Sequence, residues 1–157
     1  SLMRESLAAH RTTGVELPVP YFLALVAKTY GKLKEISTAL DLLTEALAMI
    51  EKTVGHFFEA ELYRLKGELL WQDDGSHQRD ELSPEACFQK AIQIARRQQA
   101  KSLELRATVS LAQLWQVQGK REAARQVLAG IYGWFTEGFD TLDLKEAREL
   151  LEAMSEG

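Results

Sequence analysis

Apolar residues recur at helical spacing along most of this chain. From Ile36 they fall at Ala39, Leu40, Leu43, Leu47 and Ile50, the i, i+3, i+4, i+7 stripe of an amphipathic helix. The stripe returns at Ala124, Val127, Leu128, Ile131 and Phe135, and again at Cys87, Phe88, Ala91, Ile94 and Ala95. No segment sustains the period-two alternation of a strand. Turn residues divide the stripes. Pro18 and Pro20 precede a helix near Tyr21, where a proline lacking its N–H costs nothing in the first turn. Gly55, Gly119 and Gly138 read as helix ends or breaks. Ser83-Pro84-Glu85 combines a hydroxyl cap, a first-turn proline and an acid at the positive helix end. The polar stretch Gln72–Glu81 reads as a loop, and Asp140 or Thr141 can cap a final helix. The pattern predicts an all-α chain of about eight helices, near 3–12, 20–31, 36–53, 57–72, 84–99, 102–118, 121–136 and 142–154.

These helices fall into similar pairs. Leu23, Val26, Ala27 and Tyr30 are followed by Ala39, Leu43 and Ala46; Thr108, Leu111, Ala112 and Trp115 are followed by Ala124, Leu128 and Ile131. Tyr30 to Ala39 and Trp115 to Ala124 are both nine residues. The middle pair offers Tyr63, Lys66, Gly67 and Leu70, then Phe88 and Ala91. The first-helix marks Tyr30, Leu70 and Trp115 lie 40 and 45 residues apart, and the second-helix marks Leu43, Phe88 and Leu128 lie 45 and 40 apart. A period near 40 with about five residues inserted within 72–83 accounts for both series. Small residues (Ala27, Gly67, Ala112) let paired helices approach, and a large residue one turn later fills the space between pairs. Such hairpins cannot bury their faces alone, so the expected architecture is a right-handed α-α superhelix of tetratricopeptide-like hairpins. One domain, 3–154, would hold a half-repeat 3–12, pairs 20–53, 57–99 and 102–136, and a capping helix 142–154. The middle register is open by one residue: Lys66 stands where a buried leucine is expected, and the alternative uses Leu62, Leu65 and Leu69.

Composition narrows the class. The chain has 157 residues, 46% hydrophobic and 27% charged, with 3 prolines and 10 glycines; this suits one folded unit. Its formal charge is −4, but Lys90 to Arg125 carries eight basic residues against Glu104 and Glu122, a local +6. The lone Cys87 cannot form an internal disulfide and suits a reducing, cytoplasmic setting. No apolar run approaches the roughly 18 residues of a membrane span. Ser1-Leu2 and Glu156-Gly157 read as cloning scars around an excised fragment.

The runs Glu61–Leu70 (ELYRLKGELL), Ala91–Leu105 (AIQIARRQQAKSLEL) and Tyr132–Thr141 (YGWFTEGFDT) resemble the C-terminal tetratricopeptide region of large bacterial signalling proteins. Those proteins join an adenylate/guanylate cyclase or DNA-binding domain to a predicted ATPase domain and then to such a helical array. The resemblance implies protein–protein interaction or intramolecular regulation within a signalling protein or transcriptional regulator. Any catalysis would lie upstream.

The residues themselves suggest no catalytic constellation. His10, His56 and His77 lack paired ligand spacing. Asp73, Asp74, Asp80 and Glu81 lack calcium-loop spacing, and Tyr30-Gly31-Lys32 lacks the rest of a phosphate loop. Cys87 reads as a buried structural thiol. No cofactor and no metal are expected. The expected functional surface is the groove lined by the first helices, where Tyr21, Lys28, Arg64, Glu68, Trp71, Arg106, Gln113 and Gln116 lie off the packing stripe. Trp71 is the strongest anchor candidate, with packing beneath the 72–83 loop as the competing role. The turn Arg96–Lys101 is read as a solvated helix end, with a phosphate or acidic partner as the alternative. The leading function is a scaffold binding a peptide or a neighbouring domain. Alternatives are nucleic-acid binding through Lys90–Arg125 and homodimerisation through an N-terminal edge of Leu7, Leu23 and Leu25.

Overall fold

The computed structural model describes residues 19–51, 59–73 and 82–155. These form seven helices and no strand: α1 (Val19–Lys32), α2 (Ile36–Glu51), α3 (Glu59–Gln72), α4 (Pro84–Arg97), α5 (Lys101–Val117), α6 (Arg121–Tyr132) and α7 (Leu142–Ser155). The helix expected at 3–12 and the breaks expected at Gly55 and within 74–81 lie outside the described residues. One boundary departs from expectation by more than two residues. α6 stops at Tyr132 and does not reach 136. Gly133 caps it, and the amides of Trp134 and Phe135 tighten the end by donating to Ile131 and Tyr132.

Three turns of three residues each reverse the chain after α1, α4 and α5, and all three are built alike. The amide of the third turn residue reaches back five positions: Glu35 to the Tyr30 carbonyl, Ala100 to Ala95, Lys120 to Trp115, at 2.8, 2.9 and 2.8 Å. The middle residue donates three positions back and takes a left-handed conformation, with φ of 65° at Lys34, 56° at Gln99 and 82° at Gly119. This pair of hydrogen bonds satisfies two of the orphan carbonyls of a helix end. The next helix then opens from the third turn residue, whose carbonyl accepts from Ala39, Glu104 or Ala124. The nine-residue interval seen in the sequence is therefore one closing bond, a fixed turn and one opening bond. Ala39 and Ala124 are fully buried just inside their helices.

Ser83 opens α4 as its sequence predicts. Its hydroxyl accepts from the Ala86 amide at 3.1 Å, with Pro84 at the first helical position. The connection between α3 and α4 runs eleven residues where the outer hairpins use three. Five of the extra residues are the insertion; the other three arise because α4 starts nearly one turn later, relative to Phe88, than α2 and α6 start relative to Leu43 and Leu128.

α1 packs on α2, α3 on α4 and α5 on α6, and each hairpin leans on the next first helix. One core cluster joins Leu23, Ala27, Tyr30, Ala39, Leu43 and Ala46 of the first hairpin to Leu62, Leu65 and Leu69 of α3. A second joins Phe88, Ala91 and Ile92 of α4 to Ala107, Leu111 and Leu114 of α5. A third holds Leu105, Val109 and Ala112 with Ala124, Leu128 and Ile131, closed by Leu144, Ala147 and Met154 of α7. Leu23, expected at an exposed edge, is fully buried in the first of these, whereas Leu25 is 46% exposed.

The middle register resolves because α3 works on two faces. Leu62, Leu65 and Leu69 face the preceding hairpin, and Gly67 faces α4. A Cβ on Gly67 would stand 2.6 Å from a Phe88 ring carbon and 3.1 Å from the Cys87 Cβ. At the equivalent places the outer hairpins put Ala27 with Leu43 and Ala112 with Leu128, all fully buried. Leucine is thus matched with alanine, and the larger phenylalanine with glycine. Lys66 is only half-buried.

Gly67→Ala should destabilise the fold by about 1–3 kcal/mol through overpacking, despite alanine's better helix propensity. Adding Phe88→Leu should recover part of that loss, giving a favourable coupling energy in a urea-denaturation double-mutant cycle. Lys34→Gly and Gln99→Gly should each raise stability by about 0.5–1 kcal/mol by relieving the left-handed strain, read from the same curves.

Candidate interaction groove

First helices touch first helices in this chain: α1 meets α3, α3 meets α5 and α5 meets α7. Among the described residues the second helices α2, α4 and α6 make no such contacts with one another. One face is therefore formed by α1, α3, α5 and α7, and the expected groove residues lie on its helices.

A charged network crosses this face. The Arg64 guanidinium donates to Glu61 Oε1 at 2.9 Å from Nε and to Glu68 Oε1 at 2.7 Å from Nη1. A second Arg64–Glu61 contact runs through Nη2. Ser110 of α5 donates its hydroxyl to Glu68 at 3.0 Å and lies 3.4 Å from Arg64 Nη1. Arg106 of α5 reaches both ways, to Glu61 Oε2 at 3.3 Å and to Asp143 Oδ2 of α7 at 3.0 Å. The hydrogen bond to Asp143, helped by the charge of Glu61 and opposed by partial burial, lifts the Arg106 pKa above its ordinary value. The network clamps α3, α5 and α7 side by side.

Arg64, expected as an open groove residue, is instead 8% exposed. Its charge is spent on Glu61 and Glu68. Glu68 and Arg106 join it in the network, while Glu61, Ser110 and Asp143 are members the sequence reading missed. The helical spacing of Glu61, Arg64 and Glu68 signals the local part; the bonds to Ser110 and Asp143 span dozens of residues and leave no local trace. Lys28 and Gln113 are exposed, and Gln116 is half-buried. The Tyr21 side chain lies outside the described residues. Trp71 is half-buried, edge-on to Phe88 with ring centroids 6.5 Å apart, and with Glu68 and Gln72 it borders a shallow cleft of about 310 Å³. It both packs and faces open space.

Seven of the eight basic residues of Lys90–Arg125 have local partners, and Arg97 is exposed. Lys90 sits 4.5 Å over the Tyr63 ring, Arg96 and Lys101 bind Glu104, and Arg106 serves the groove network. Lys120 approaches Glu85, Arg121 donates to the Met154 and Ala153 carbonyls, and Arg125 pairs with Glu122. Cys87, the sole cysteine of the sequence, is a buried thiol. Among the described residues no group of three or more His, Cys, Asp or Glu side chains is placed to hold a metal ion. No described helix is long and apolar enough to cross a membrane.

No protein-family model and no curated protein matches this chain.

Arg64→Met should destabilise the fold by about 3 kcal/mol, because it leaves the largely buried Glu61 relying on the longer contact to Arg106 and removes the charge that Glu68 pairs with. Adding Glu61→Gln should return part of that loss in thermal melts. Arg106→Gln should cost less, about 0.5–1 kcal/mol, because its side chain is 40% exposed and screened by solvent.

Proposed function

We propose that this chain is a non-catalytic interaction module: tetratricopeptide-like hairpins wound into a right-handed superhelix, whose groove holds a peptide or a neighbouring domain. The observation carrying this reading is the one-sided contact pattern. First helices touch and second helices do not, so a stack of such hairpins curves toward its first helices. The clamp sets three carboxylates against two guanidiniums, so the groove is a braced floor whose two arginines are already engaged. Recognition falls to the side chains beside the clamp, Lys28, Trp71, Gln113 and Gln116. Trp71 beside its cleft suits a buried anchor from a partner. The resemblance of the three sequence runs supports a place in a larger bacterial signalling protein, cytoplasmic, with an upstream cyclase, ATPase or DNA-binding part. Engagement of seven of the eight basic residues with carboxylates, a ring or carbonyls speaks against nucleic acid as the partner.

A photo-crosslinking residue at Gln113, compared with one at Gln126 on α6, tests this in the parent protein in cells. Cross-links from position 113 to one defined segment, lost on Trp71→Ala, are expected. No product from 113, or equal products from 126, would contradict the groove reading.

A second reading, stacking of α1 against another helical element or a second copy, has one specific observation in its favour. Leu25 is 46% exposed, while its equivalents by spacing, Leu65 and Ser110, are 6% and 2% exposed beneath the preceding hairpin. Light scattering should then show self-association that Leu25→Glu abolishes; a monomer at high concentration removes the homodimer.

A further inference from the structure

The run Tyr132–Thr141 lies apart from the groove network, in the end of α6 and its connection to α7. Trp134 there is 57% exposed. Gly133 has just closed α6, and Phe135 stands edge-on to the indole with centroids 5.1 Å apart. Lys101 places its ammonium 5.6 Å from the indole centroid. Trp134 and Phe135 form one wall of an open cleft of about 660 Å³, and Arg96 at the end of α4, Gln99 in the turn, and Lys101 and Ser102 at the start of α5 form the other.

Beneath the basic wall lies Glu104, 4% exposed. Arg96 Nε donates to it at 3.0 Å and Lys101 Nζ lies 3.4 Å away. Glu104 occupies the turn position that holds buried alanine, Ala39 or Ala124, in the two hairpin turns. Two cations share this single carboxylate, and Arg97 follows, exposed, in the last turn of α4. The rim keeps a positive surplus in a chain whose net charge is −4. Glu104 also fixes both cations in place, which lowers the ordering cost of binding.

We propose that this cleft docks a short acidic peptide segment carrying a large apolar side chain. The apolar side chain packs against Trp134 and Phe135, and flanking carboxylates pair with Arg96 and Lys101. Charge complementarity selects this occupant, and Trp and Arg are the residues that most often anchor protein interfaces. A nucleic-acid backbone fits poorly, since strong duplex binding draws on roughly 6–10 phosphate contacts and the basic side chains lining this cleft are two.

Probing the full chain with an array of randomised twelve-residue peptides tests the proposal. Bound peptides should be enriched in Asp and Glu flanking Phe, Leu or Trp. The best of them should bind at least about tenfold more weakly to Trp134→Ala and several-fold more weakly to Lys101→Gln, with Gln126→Ala unchanged. Titrating that peptide into the unaltered protein should move the Trp134 indole resonance, assigned with Trp134→Phe, so the result stands even where a variant fails to fold. A bound set without acidic enrichment, an unmoved Trp134 indole, or a single-stranded oligonucleotide that outcompetes every peptide overturns the proposal.

Discussion

Two helices can approach only as closely as their smallest facing residues permit, and that limit organises this chain. In the middle hairpin the limit is a missing methyl. Gly67 leaves room for the Phe88 ring against α3, and a Cβ there would enter the ring's volume. In the outer hairpins alanine meets leucine. Leucine with alanine and phenylalanine with glycine have similar combined volumes, so the three pairs can pack alike despite different side chains. Each can then present a first helix to the next. If α4 stood off from α3, Ala107, Leu111 and Leu114 of α5 would lose the surface they pack on.

Close-packed hairpins bring the first helices together, and polar chemistry follows from that placement. Glu61, Arg64 and Glu68 are a local helical set, but their partners on α5 and α7 come within reach only once the stack has formed. The buried Arg64 charge is tolerable because two carboxylates and a hydroxyl surround it; a lone guanidinium there would cost several kcal/mol. The clamp therefore specifies which faces meet more than it adds stability. The ends of the stack differ. α7 covers the third cluster with Leu144, Ala147 and Met154 and turns Lys145, Glu146, Arg148, Glu149 and Glu152 outward. α1 leaves Leu25 uncovered by the described residues at a place that later hairpins bury.

Helix order, the Ser83 cap, the breaks at Gly119 and Gly138 and the inserted middle connection were all legible in the sequence, because each rests on local chemistry: periodicity, a missing N–H, a permissive φ. The nine-residue interval was legible too, since a hydrogen-bonded turn has fixed length. Lys34 and Gln99 were not, because neither residue type advertises a left-handed turn, and only the matching geometry at Gly119 reveals them as its equivalents. The end of α6 was overrun because Phe135 continues the apolar stripe while the backbone has already left the helix at Gly133. Among the candidate groove residues, sequence position placed Arg64, Glu68 and Arg106 on the face formed by the first helices but could not show that they bind one another, since exposure depends on contacts made across tens of residues.

Proton NMR of the folded chain tests the central packing directly. Seated against the Phe88 ring, the Gly67 Hα protons should show strong cross-relaxation with the ring protons and a large ring-current shift. Gly67 Hα signals near their unstructured positions, without cross-peaks to Phe88, would contradict the account.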